Sequence, residues 1–130
     1  MKTIIAGSRE IRDYDEVMRA IEASGFKNEI TEVISGMAKG PDILGFSWAR
    51  TFGIPRKAFP LEWLPDGKSG KVDRAAGIKR NIRMAEYAAP DGALIAVWDG
   101  QSPGTRHMIE TARKKGLRVF VWIPEEFRLG

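Results

Sequence analysis

The stretch Ala93-Leu94-Ile95-Ala96-Val97-Trp98 is an unbroken run of apolar residues. A run of this kind, followed by the glycine-containing loop 100–105, is typical of a central strand in a parallel sheet whose two faces are both covered by helices. The same succession of apolar run, small-residue loop and amphipathic stretch recurs along the chain. It predicts an α/β fold.

Five apolar runs predict five strands, and four amphipathic stretches predict four helices. The strands are predicted over 3–6, 30–34, 54–59, 93–98 and 118–123. The helices are predicted from an Asp13-x-x-Glu16 capping box to Gly25, from Pro41 to Gly53, from Arg74 to Ala88, and from the 100–105 loop to Gly116. Right-handed crossovers then favour a Rossmann-like three-layer sandwich, with a five-stranded parallel sheet in the order 3-2-1-4-5 or a close relative.

The composition indicates one domain, spanning 1–130, without metal or cofactor chemistry. The chain has no cysteine and a single histidine, His107, which disfavours thiolate chemistry and a metal site. The first residues lead into a strand and lack the apolar core of a signal peptide, and no run of about 18 apolar residues occurs anywhere. We therefore expect a cytoplasmic protein that is not embedded in a membrane.

The charge balance favours an anionic partner. Lysine and arginine number 21 against 17 acidic residues, which gives a formal net charge of +4. A small basic excess suits a nucleotide, a nucleic acid or a phosphate group and does not choose among them.

Three loops are predicted to meet at the carboxyl edge of the sheet. They follow the first, second and fourth strands and cover 7–9, 35–40 and 100–105. Small residues let backbone N–H groups approach a ligand, and the second and third of these loops lead into helix N-termini, where the dipole favours an anion. The candidate ligand-binding residues are Gly7, Ser8, Arg9, Ser35, Gly36, Met37, Lys39, Gly40, Asp42, Arg80, Asn81, Asp99, Gly100, Ser102, Gly104 and Thr105.

Several of these residues have two interpretations. Arg9 suits phosphate recognition, as does Arg80, whereas Arg83 is expected to remain a solvated surface charge. Asp42 either meets a ribose hydroxyl group or complements the dipole of its helix. The hydroxyl groups of the 100–105 loop either face an anion or cap a helix. His107 is either an acid or base, or a surface histidine, and we favour the latter.

Three catalytic or nucleotide-binding motifs are excluded. Gly67-Lys68-Ser69 resembles the end of a P-loop, but the first glycine of that motif would fall at Glu62. The dinucleotide fingerprint G-x-G-x-x-G is missing after the first strand. The run 100–104 matches G-x-S-x-G, but Pro103 follows the serine and has no N–H group for an oxyanion.

Two further expectations concern surfaces. The second predicted helix carries Phe46 and Trp48 in addition to Ile43 and Leu44, which is more apolar surface than one buried stripe needs. The excess favours a homo-oligomer. The long loop 60–73 is expected to act as a lid or as a contact between copies.

Four strings together resemble a known family. They are Ala6-Gly7-Ser8-Arg9, the run 35–42 (SGMAKGPD), the run 80–84 (RNIRM) and the run 98–105 (WDGQSPGT), in order and properly spaced over nearly the whole chain. The combination resembles the YspA-type branch of the SLOG superfamily, which is similar to the DNA-processing protein A core and to the Lonely guy phosphoribohydrolases. The resemblance implies a Rossmann-like domain that binds a nucleotide or a nucleotide-derived molecule.

The phosphoribohydrolases carry phosphate binding and catalysis on R-K-x-x-M and G-G-x-G-T-x-x-E motifs. Arg80 and Met84 match the first motif, with Asn81 in place of the lysine, and the glutamate of the second would fall at Met108. The nearest acid is Glu110, so Arg80 and Glu110 are weak catalytic candidates. We expect a module that captures or senses a nucleotide or an ADP-ribose-like ligand. The alternatives are a nucleoside-monophosphate phosphoribohydrolase and a single-stranded DNA-binding protein.

Overall fold

Five parallel strands form the sheet, as expected. In the computed structural model, which describes residues 1–61 and 74–128, the strand order is β3-β2-β1-β4-β5. The strands are β1 (Lys2–Gly7), β2 (Glu32–Ser35), β3 (Arg56–Ala58), β4 (Ala93–Val97) and β5 (Arg118–Trp122). The predicted fold class and strand order are confirmed. β3 lies at one edge, as Pro55 in front of it predicts.

Four helices cover the two faces of the sheet. They are α1 (Tyr14–Ser24), α2 (Pro41–Thr51), α3 (Arg74–Ala88) and α4 (Pro103–Lys114). Ile5 is paired with Ile95 across β1 and β4, and both belong to the core cluster formed with α1 and α2. Ile4 is paired with Leu94, and both pack with α3 and α4 on the other face. Alternate residues of the central strands therefore point into two separate cores, one on each face of the sheet. The sheet and the two pairs of helices form the three layers.

The start of α1 differs from the predicted capping box. Asp13 is the N-cap, and its carboxylate accepts a hydrogen bond from Asp15 N at 2.9 Å. The carboxylate of Glu16 instead accepts from Arg19 Nη1 at 2.7 Å and from Trp122 Nε1 at 2.9 Å. Glu16 thus connects α1 to β5 instead of closing the box, because the N–H group of the partly buried indole requires an acceptor.

The second strand is shorter than predicted. Ile30 and Thr31 precede β2, after a short 3₁₀ turn over Lys27–Glu29. Ile30 is nevertheless buried in the core with α1 and α2, so its apolar character reflects packing and not strand pairing.

Helical spacing predicts that Ile43 on α2 and Ile78 on α3 face the core, and the structure exposes both. Ile43 on α2 is 39% exposed and Ile78 on α3 is 46% exposed, so both inward assignments are wrong. Met84 and Asn81 are buried on α3 instead. Trp48 lies in the core, so it lends no support to pairing of copies, and that expectation now depends on Phe46.

Two segments singled out in the sequence lie outside the residues that the structure describes. The long loop 60–73 lies outside them apart from Pro60 and Leu61, and so does the run 67–69. In the ranges 1–61 and 74–128, no helix combines the length and apolar character needed to cross a bilayer.

Candidate functional site

The loops after β1, β2 and β4 meet at the carboxyl edge of the sheet and enclose a cavity of about 940 Å³. The cavity lies at the switch point between β1 and β4, where α/β sheets bind ligands. Its lining is drawn from these loops, from the N-terminal turns of α2 and α4, and from one side of α3. We call it the edge cavity.

Nine of the candidate residues line the edge cavity. They are Gly7, Ser8, Arg9, Asp42, Arg80, Asn81, Ser102, Gly104 and Thr105. Seven others are not part of its lining, namely Ser35, Gly36, Met37, Lys39, Gly40, Asp99 and Gly100. The remainder of the described lining, which the sequence did not single out for ligand binding, includes Glu10, Ala38, Leu61, Ile78 and His107.

Asp42 is the buried carboxylate of the edge cavity and is only 4% exposed. It lies in the first turn of α2, and its Oδ1 accepts a hydrogen bond from Gly7 N at 3.3 Å. Burial raises the pKa of Asp42 to about 6, although the positive charge of Arg80 and the N–H groups of Ala38, Gly7 and Asp42 itself oppose the shift. The carboxylate therefore binds the loops after β1 and β2 to the start of α2, where Ile43 N also donates to Ala38 O at 3.3 Å.

Ser35 supports this arrangement from beneath. It is fully buried, its hydroxyl group donates to Asp42 O at 2.8 Å, and it accepts from Met37 N at 3.0 Å. The hydroxyl is thus committed to shaping the loop, which passes through a left-handed residue at Met37 (φ 62°). Its role in the described structure is to hold Asp42 in place.

Arg80 reaches from α3 to the loop after β2. Its Nη1 donates to Gly36 O at 2.8 Å, whereas its buried Nε has no hydrogen-bond partner among the described residues. A Cβ atom at Gly36 would lie 2.8 Å from Asp42 Oδ2 and 2.9 Å from Arg80 Cζ. Glycine at position 36 therefore leaves room for both the guanidinium group and the carboxylate beside the loop.

Two cations share the cavity with this single buried acid. Burial lowers the pKa of Arg80, Asp42 opposes that shift, and the charge of the exposed Arg9 lowers the pKa further. Arginine nevertheless remains protonated in proteins. Asp42 offsets one of the two guanidinium charges, and the exposed Glu10 also lines the cavity, so the attraction for an anion depends on the positions of Arg9 and Arg80 and not on an excess of positive charge.

The N-terminus of α4 faces the cavity without an internal cap. Its N-cap Ser102 makes no side-chain capping bond, because the hydroxyl group donates to Asp99 Oδ2 at 2.7 Å. Burial alone would raise the pKa of Asp99, but hydrogen bonds from Ser102, Gln101 and Ser8 outweigh it and lower that pKa. The first-turn N–H groups of Gly104 and Thr105 have no partner within the helix and are placed to receive an anion.

Ser8 joins two of the walls. Its Oγ accepts from Asp99 N at 3.0 Å, and its own N–H donates to Val97 O at 3.0 Å. These bonds fix the loop after β1 against the loop after β4.

His107 lies in the edge cavity, contrary to the surface position that the sequence favoured. Its Nδ1 lies 3.0 Å from Asn81 Nδ2, and its Nε2 lies 3.4 Å from Thr111 Oγ1. A pattern of cavity-facing positions on α4 would have pointed to it, since His107 follows Gly104 by three residues. Glu110 and Arg83 are exposed and do not line the cavity, so the structure does not bring the acid of the weak catalytic pair to Arg80.

Chemically, the edge cavity offers donors and positive charge around two buried acceptors.

The family model for the YspA, cpYpsA-related SLOG family (YAcAr) matches residues 1–65, which include β1, β2, β3 and α2. The chain belongs to the YspA, cpYpsA-related SLOG family. The family of this SLOG chain is therefore the one that its sequence motifs resemble.

Two individual proteins extend the comparison over the rest of the SLOG chain. The gene 61 protein of Mycobacterium phage D29 is 29% identical over 124 residues, covering 91% of this chain and 93% of the phage protein. The X-ray structure of DNA processing protein A (DprA) from Streptococcus pneumoniae matches with a TM-score of 0.65 and 20% identity over 92% of this chain. The chain spans 49% of the DprA chain, and the likeness shows a shared fold.

Proposed function

We propose that this SLOG chain binds a nucleotide or a nucleotide-derived, ADP-ribose-like ligand in the edge cavity and acts as a ligand-capturing module. The observation that carries the proposal is the meeting of Arg9, Arg80 and the uncapped N-terminus of α4 in one cavity. All three favour negative charge, and they come from three separate parts of the chain.

The size of the cavity suits a small molecule with several functional groups. Its volume of about 940 Å³ lies near the upper end of the range for ligand pockets, roughly 300–1,000 Å³. A lone inorganic anion would leave most of this space unused. A phosphate group attached to a sugar and a base would use the apolar part of the lining as well, which includes Ile78 and Met108.

The polar groups of the cavity include both donors for phosphate oxygens and acceptors for hydroxyl or amino groups, as a nucleotide requires. Guanidinium groups and helix amides suit the phosphate oxygens. The buried acceptors Asp42 and Asn81 line the same cavity and suit hydroxyl or amino donors of the ligand. The name of DNA processing protein A also supports a nucleotide-related ligand, since that protein shares the fold.

The test is a calorimetric titration with AMP, ADP-ribose and inorganic phosphate. Arg9→Ala is expected to weaken binding of the nucleotide about 10-fold or more, since it removes charge-assisted hydrogen bonds. The melting temperature should not change, because Arg9 is exposed. The matched control is Arg50→Ala, an exposed arginine in the last turn of α2 that does not line the cavity.

Absence of binding by the wild-type protein, or equal losses in the two arginine variants, would contradict the proposal. Tight binding of a single-stranded oligonucleotide with a steep dependence on salt, and none of mononucleotides, would favour the DNA-binding alternative. Hydrolysis is a second candidate because Asp42, a carboxyl group with a pKa of about 6, lies beside Arg80. Chromatography of AMP recovered from the titration detects it as free adenine.

A further inference from the structure

Asn81 lies on α3, lines the edge cavity and is 6% exposed. Its Nδ2 lies 3.4 Å from Gly104 O and 3.0 Å from His107 Nδ1. The side chain therefore connects α3 to the first two turns of α4.

These contacts fix the orientation of the amide group. A carbonyl oxygen can only accept a hydrogen bond, so the group of Asn81 that faces Gly104 O must be the NH₂. The second N–H of the same NH₂ points to His107 Nδ1, which consequently accepts. The ring proton of His107 then lies on Nε2 and faces Thr111 Oγ1 at 3.4 Å. Interchange of the amide oxygen and nitrogen would bring two acceptors together at Gly104.

The remaining polar atom of Asn81 is its carbonyl oxygen, Oδ1. In the part of the chain that the structure describes, Oδ1 has no hydrogen-bond partner, although it belongs to a buried residue of the cavity wall. It lies on the side of the amide opposite to Gly104 and His107. Because Arg80 Nε is the one fully enclosed polar side-chain atom without a partner among the described residues, Oδ1 of Asn81 is open to the cavity and can accept a hydrogen bond from a ligand.

We propose that Asn81 determines the specificity of the edge cavity by accepting a hydrogen bond from an amino or hydroxyl group of the bound nucleotide. The inference depends on the proposed function, because it assigns one contact within the same site. The donor lies near the anion that the N-terminus of α4 binds, since Asn81 contacts Gly104 directly. A ligand with an acceptor at this point is rejected, because two acceptors would face each other.

The test uses AMP and three analogues that each lack one donor. Inosine monophosphate carries a keto oxygen in place of the exocyclic amino group, and the 2′-deoxy and 3′-deoxy forms of AMP each lack one hydroxyl group. Wild-type protein should bind one of these analogues about 10-fold more weakly than AMP, because Oδ1 is then left without its donor. The identity of that analogue tells whether the donor belongs to the base or to the sugar.

The variant Asn81→Ala separates this role from a structural one. It should weaken the binding of AMP until its affinity equals that of the analogue that the wild type binds more weakly. The affinity for that analogue should stay unchanged. A residue that only holds α4 in place would weaken all four ligands equally, and that result would overturn the inference. The matched control is Asn28→Ala, an exposed asparagine in the 3₁₀ turn at Lys27–Glu29.

Two outcomes do not depend on the variant. Wild-type protein that binds all four ligands within twofold of one another overturns the inference and leaves the proposed function intact. Wild-type protein that binds no nucleotide overturns the proposed function, and the inference with it. The melting temperature of Asn81→Ala, measured alongside, shows whether the variant is folded in the titrations.

Discussion

The N-termini of α2 and α4 lie at the same edge of the sheet, yet one is closed and the other open. Both helices begin with a proline, Pro41 or Pro103, and in neither does the N-cap residue, Gly40 or Ser102, make a side-chain capping bond. The first turn of α2 contains Asp42, whose carboxylate accepts backbone N–H groups. The first turn of α4 contains no acidic residue.

This contrast indicates which helix N-terminus an external anion would approach. A helix N-terminus carries roughly half a positive charge, which an internal carboxylate neutralises as well as a ligand does. The end of α2 is therefore used within the protein, and the end of α4 is available to a ligand. The following three predictions test this contrast.

The largest effect is expected from alanine at the two glycines of these turns. Gly40 has φ 90° and ψ −141°, and a Cβ atom there would lie 2.8 Å from Ser8 O. Backbone strain and overpacking together should make Gly40→Ala less stable by about 4 kcal/mol in urea unfolding. A Cβ atom at Gly104 would meet no atom within 4 Å, so Gly104→Ala should lie within about 1 kcal/mol of the wild type. Equal losses in both variants would refute the contrast.

The next effect concerns the buried carboxylate of the closed end. Because the pKa of Asp42 is raised to about 6 in the folded protein, the folded state binds the proton more tightly than the unfolded state does. Its contribution is greatest below about pH 4 and is lost as the pH rises through about 6. Relative to Asp42→Asn, the wild type should lose on the order of 3 kcal/mol of unfolding free energy over this window.

Urea titrations of both proteins at pH 4, 5, 6 and 7 measure this difference. Subtracting the two curves removes the contributions of other groups, including Asp99, whose lowered pKa acts in the opposite direction. A difference that stays constant with pH, or that grows in favour of the wild type, would show that Asp42 is not an unusually protonated acid.

The smallest effect tests the open end by closing it. Gly104→Asp places a carboxylate in the first turn of α4, where it should stabilise the helix slightly and compete with an anionic ligand. We expect the affinity for AMP to fall about 10-fold, roughly 1.4 kcal/mol, with no loss of unfolding free energy. Gly104→Ala is the control for the added side chain. If the two variants bound AMP equally, the anion would have to lie elsewhere in the cavity.

The sequence predicts the sheet and its order well because these depend on local signals. Apolar runs such as 93–98 are strands wherever they pack, and right-handed crossovers leave few orders for five of them. The meeting of three loops then follows from topology alone. Pro55 also marks the edge strand correctly, since it cannot donate to a ladder.

The sequence predicts less well which side chains turn into the site. Ile43 and Ile78 are apolar but exposed, because the rotation of a helix about its axis is set by the best packing of the whole face. Ser35 has a ligand-like position but is used to hold Asp42. The spacing of three residues from Gly104 is the one local signal for His107, and its contact with Asn81, 26 positions away, depends on how α3 packs on α4.

Arg80 and Asn81 are neighbours in sequence, but they grip different walls. One donates to the carbonyl of Gly36 after β2, and the other to the carbonyl of Gly104 at the start of α4. A single helix, α3, thus contacts two walls of the edge cavity. A shift of α3 along its axis by a fraction of a turn would weaken both hydrogen bonds together. Displacement of α3 would therefore change the contacts at both walls of the edge cavity at once.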